Sequence, residues 1–150
     1  PQRAVGGRVA DSAIQELQKH IDGIEESYEF MLAYAAQGVS TDVGSGSGAQ
    51  LREFLRRTEA SLEKLADLFE AAIAEAGSEP REKYLAFVDV IREDARKARA
   101  AVGLTLAQKA ISSQLIDNLN ASIHLRAVLT DVFLLDEIIS PRSAPTGTAR

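Results

Sequence analysis

The chain contains no cysteine, which removes disulfides, thiolate metal sites, covalent c-type haem attachment and cysteine nucleophiles from consideration. Tryptophan is absent too, and aromatic residues make up 5% of the 150 residues, so an aromatic-rich binding surface is not expected. Positive charge is in deficit: 17 Lys and Arg stand against 22 Asp and Glu, a formal net charge of -5. That balance repels phosphate backbones and anionic lipid at long range, which disfavours nucleic acid and membrane as partners. No stretch approaches 18 uncharged apolar residues, and the opening PQRAVGGRVA lacks an apolar run of signal-peptide length. Neither membrane spanning nor export is therefore expected, and a cytoplasmic location is the default.

What remains is 45% hydrophobic and 26% charged residues, a globular composition of a length that suits one domain. Residues 1–11 read as a flexible arm, 12–140 as a single helical-bundle domain with a mobile loop at 38–47, and the Pro/Ser/Gly-rich 141–150 as a flexible tail.

Three segments share a start signal, a Ser or Thr followed three residues later by Gln: Ser12 with Gln15, Ser47 with Gln50, and Thr105 with Gln108. Each has the form of a capping box, which satisfies two first-turn N–H groups that a helix leaves unpaired. Ser78-Glu79-Pro80 supplies a fourth start, with an acid and a proline where the helix dipole and the missing proline N–H favour them. Gly38, Gly77 and Gly103 stand where helices stop, and Pro141 bars continuation after Ser140. Apolar residues recur at helical spacing through Ile14, Leu17, Ile21, Ile24, Tyr28 and Met31, and again in the second and third segments. No strand alternation bounded by hairpin turns is visible. The expectation is an all-α, antiparallel up-down-up-down four-helix bundle with helices of about 12–37, 48–76, 79–102 and 105–140.

Candidate chemistry is sparse. The Gly/Ser-rich loop leads into a helix start carrying Arg52, Arg56 and Arg57, where an anion could sit, but no strand precedes it and no GK[ST] follows. Those arginines also have glutamates within helical reach. The stripe Ser113, Asp117, Asn120, His124 and Asp131 separates its acid and histidine by ~10 Å of helix rise, too far for a triad along one helix. Neither histidine completes the Glu-x-x-His pair that a ferritin-like di-iron site requires. The segment HIDGIEESYEF nevertheless gathers Asp22, Glu25, Glu26 and Glu29 without a Lys or Arg among them. Their mutual repulsion calls for solvation, arginines from another helix, a partner, or a hard cation bound with or without His20.

The fourth predicted helix carries the larger anomaly. From Leu125 to Ile139, ten of fifteen residues are apolar and encircle the helix, whereas a bundle helix needs one buried stripe. The surplus must be covered by another surface or left as an adhesive patch. The sequence thus points to a non-catalytic interaction, scaffold or regulatory protein that requires no cofactor. It would act as a homodimer or dock a protein partner through Leu125, Val128, Val132, Phe133 and Leu135, with Arg126, Asp131, Asp136 and Glu137 at the rim. The alternative is a metal- or cofactor-binding bundle, in the extreme a ferritin-like enzyme, with a metal ion at His20, Asp22, Glu25 and Glu29.

Overall fold

Ser12 begins the first helix as its spacing requires: its hydroxyl accepts from the Gln15 amide, and the Gln15 side chain accepts from the Ser12 amide. In the computed structural model, which describes residues 12–139, this helix is α1 (Ala13–Ala36), followed by α2 (Gly46–Ala76), α3 (Arg81–Leu106), α4 (Ser113–Ala121) and α5 (His124–Ile139). All regular structure among the described residues is helical. The expected arm at 1–11 and tail at 141–150 lie outside those residues.

The first two turns match the stop signals. Gly38 and Gly77 adopt φ of 67° and 64°, left-handed values that glycine reaches without steric penalty. Helix α2 is capped by Ser45, two residues before the expected Ser47, with the Ser45 hydroxyl accepting from the Gly48 amide. Helix α3 begins at Arg81, with Pro80 in the cap position.

The predicted fourth helix is corrected most. Gly103 does not end α3; it leaves room for Glu59 of α2, whose Oε2 would lie 2.9 Å from a Cβ added there. The Thr105 hydroxyl donates to the Ala101 carbonyl and the Gln108 amide to the Leu104 carbonyl, so this pair decorates the end of α3 instead of capping a new helix. The start lies at Ser112, whose hydroxyl accepts from the Leu115 amide.

A second break follows at 122–123. The Ser122 hydroxyl donates to the Leu119 carbonyl, closing α4, and Ile123 takes a φ of 66°. For a β-branched residue this conformation costs about 1–3 kcal/mol. The Ile123 carbonyl then accepts from Ala127 and opens α5.

The core combines the seam of α1 (Leu17, Ile21, Ile24, Met31) with Leu55, Leu62, Leu65 and Phe69 of α2 and Val88, Ile91 and Val102 of α3. Helix α1 packs on α2 and α4, and α3 packs on α2 and α5. The break thus sends the two halves of the expected fourth helix to different neighbours. Helices α1 and α5 make no comparable contact, and a groove separates them.

Candidate functional site

The carboxylate-rich side of α1 does not assemble the predicted metal set. His20 turns toward α2, with its Nδ1 2.8 Å from the Ser61 hydroxyl oxygen and its Nε2 3.8 Å from Glu16. Burial lowers its pKa from the ordinary 6.5; Glu16 opposes that shift, and Lys64 and Lys19 add to it. Its neutral form is thus favoured by the fold, a contribution present above pH 6.5 and lost as pH falls. Asp22 is exposed and accepts from the Gln18 amide at 2.9 Å. Glu25 and Glu29 line the groove toward α5. The three carboxylates sit about 140–200° round the helix from His20, which explains the separation. Among the described residues, no group of three or more histidines and carboxylates could hold a metal ion.

At the opposite end of α1 lies a polar network that the sequence did not reveal. Asp42, in the Gly/Ser-rich connection, is 5% exposed. Its Oδ2 accepts from Arg52 Nε at 2.6 Å and its Oδ1 from the Ile111 amide at 2.6 Å. The remaining Arg52 nitrogens donate to the carbonyls of Leu106, Gln108 and Lys109 at the end of α3. Burial alone would raise the Asp42 carboxyl, but Arg52 and the Ile111 amide outweigh it and hold it below its ordinary 3.8.

Beside this clamp, the buried Tyr34 hydroxyl donates to the Ile111 carbonyl, and Ser113 Oγ donates to the Tyr34 carbonyl while accepting from the Val39 amide. Burial, then the nearby Asp42, raises the Tyr34 hydroxyl above 10.0, with Arg52 opposing. Residues 39 and 42 of the connection are thereby hydrogen-bonded to Ser113, to Ile111 and to Arg52 of α2. The three arginines do not converge on an anion: Arg52 is engaged in the clamp, and Arg56 and Arg57 pair with Glu53.

A second feature invisible to local patterning joins α3 to α5. Asp131 of α5 is electrostatically coupled to Asp94 of α3, and its Oδ2 is buried without a hydrogen-bond partner among the described residues. Burial first, then the neighbouring Asp94 carboxyl, push Asp131 up to about 7. A carboxyl held above its unfolded value favours folding at low pH, and the benefit is lost as pH rises from about 4 to about 7. Asp131→Asn is accordingly expected to stabilise the protein by about 1–2 kcal/mol at pH 7.5 and to change little at pH 4. Urea midpoints at the two pH values check this; an equal effect at both would contradict it.

The predicted interface residues are divided by the fold. Leu125, Val128, Val132 and Leu135 are buried within their own chain, because α3 covers them once α5 has swung away from α1. Phe133 alone of the five presents substantial surface. It belongs to a different apolar row, Ile123, Phe133, Leu134 and Ile138, each between 49% and 54% exposed. A groove of about 530 Å³ runs along one flank, with Tyr28, Glu25 and Glu29 of α1 facing Arg126, Leu129, Thr130 and Phe133. On the other flank Leu134 and Ile138 meet Tyr84 and Phe87 of α3 around an apolar hollow of about 190 Å³. Of the expected rim charges, Asp131 is turned to Asp94, while Arg126 and Glu137 are exposed. No described helix is long and apolar enough to cross a membrane. In comparisons with models of protein families, with curated proteins and with solved structures, the chain matches none.

Proposed function

We propose that the protein is a non-catalytic self-association module whose contact surface is the outer face of α5. The observation that carries this reading is the half-exposed apolar row of Phe133, Leu134 and Ile138, flanked by hollows on both sides. Large apolar side chains left half exposed favour removal from water, at roughly 25 cal/mol per Å² buried. The proposal includes the finer architecture: an antiparallel bundle of four positions, the fourth shared in series by α4 and α5. The separate packing of α4 on α1 and α5 on α3 supports that arrangement.

Light scattering of the natural sequence beside Phe133→Glu tests the surface. The substitution places a charge on the apolar row without touching the core, so the variant is expected to keep its helical circular dichroism and fall to the monomer mass. A folded variant whose mass equals that of the natural protein would contradict the reading.

A further inference from the structure

We infer that the surface meeting α5 is α5 of a second copy of this chain, antiparallel about a two-fold axis near Asp131 and Val132, with each Arg126 facing the partner's Glu137. The inference rests on the self-association reading and specifies its partner and geometry.

The outer face of α5 carries a stripe of Ala127, Thr130, Leu134 and Ile138 at steps of three and four. It lies opposite the buried stripe of Leu125, Val128, Val132 and Leu135. A helix with one seam in the core and a second seam in water has a surface suited to another helix. Charge selects which helix and in what direction. Arg126 stands toward one end of the outer face and Glu137 toward the other, both exposed and separated by about 16 Å of helix rise. Side by side in parallel, two such faces would set like charges together. Reversed, each Arg126 comes level with the partner's Glu137, and an isologous two-fold contact makes both pairs at once.

The same register makes steric sense. Midway between 126 and 137 lies the axis, and Phe133 then stands level with the partner's Thr130, a smaller side chain on the wall of the 530 Å³ groove. The ring can enter that groove beside Leu129 and Tyr28 of the partner subunit. Asp131 does not belong to this contact, since Asp94 of its own chain engages it.

The test is sedimentation velocity over a concentration series for four full-length proteins: the natural sequence, Arg126→Glu, Glu137→Arg and the double reversal. Both sites are exposed, but Arg126 also faces Glu25 and Glu29 of its own chain. Circular dichroism and urea midpoints therefore check that each variant is folded, and Glu137→Arg, which is not in that groove, is the cleaner single reversal. Each single reversal replaces two attractive pairs by two repulsive ones and is expected to weaken dimerisation by about tenfold or more. The double reversal is expected to return the dissociation constant to within about threefold of the natural value. If the natural protein dimerises but the single reversals do nothing, or the double fails to recover, the antiparallel register is overturned while self-association stands. A natural protein that stays monomeric throughout overturns both, and assigns the outer face of α5 to another occupant.

Discussion

Arg52→Ala is expected to lower stability by about 3–4 kcal/mol at pH 7, a fall in Tm of roughly 10–15 °C. The guanidinium is the counter-charge of a carboxylate that is 5% exposed, and it also supplies donors to three carbonyls at and just after the C-terminal end of α3. Removing it leaves a buried anion with the Ile111 amide and without its cation, and leaves the carbonyls of Leu106, Gln108 and Lys109 short of a donor. Lysine would restore charge but not the planar fork that reaches four acceptors, so Arg52→Lys is expected to recover less than half of the loss. The sign of the pH dependence follows from the depressed Asp42 carboxyl. Its contribution is present above pH 3.8 and disappears as pH falls through the folded-state value, so the gap between the natural protein and Arg52→Ala should narrow in acid to what the three carbonyl contacts supply. Denaturant titrations at pH 7 and pH 3 measure both terms. A loss under 1 kcal/mol at pH 7 would show that the clamp contributes little to the fold.

Gly48→Ala is expected to cost about 3 kcal/mol or more, although alanine is the better helix former. A Cβ at this buried position would collide with the Asp42 carbonyl oxygen and fall within 2.6 Å of its carbonyl carbon. Backbone meets backbone there, so no rotamer change relieves the overlap. The connection carrying Asp42 must move away from α2, and Asp42 then leaves Arg52 and Ile111. Gly46→Ala is the control: it lies in the same first turn, and a Cβ added there meets nothing within 4 Å. It is expected to be neutral or to stabilise by up to about 1 kcal/mol. Urea unfolding of the pair separates close approach from helix propensity; equal effects at the two positions would contradict the packing described here.

These two residues also mark where the sequence was legible and where it was not. The seam of α1, its capping box, and the left-handed glycines at 38 and 77 are local signals, because hydroxyl caps and positive φ depend on neighbouring backbone. The pairing of Asp42 with Arg52 and Ile111 depends on where two connections meet in space, and no periodicity encodes it. Thr105 with Gln108 misled for a physical reason: a hydroxyl followed by glutamine can cap a helix start, yet inside a last turn the same groups donate to the preceding carbonyls. Ile123 was beyond sequence reasoning, since a β-branched residue is among the least suited to a left-handed break.

The candidate sites followed the same division. The acidic side of α1 was visible as a cluster, but His20 lies round the helix from it and binds Ser61. The apolar excess of the last segment was also visible. Its distribution was not, because the break at 122–123 places Leu125, Val128, Val132 and Leu135 in the chain's own core and turns Phe133, Leu134 and Ile138 outward. Asp94 and Asp131 belong to different helices, and only their packing brings the two carboxyls together.

The mass of the natural protein in solution tests most directly whether the outer face of α5 meets a second copy. Sedimentation of the full chain from about 1 to about 200 μM is expected to show a mass that climbs with concentration toward twice the 16.2 kDa of one chain. A mass of 16.2 kDa held constant across that range would contradict it.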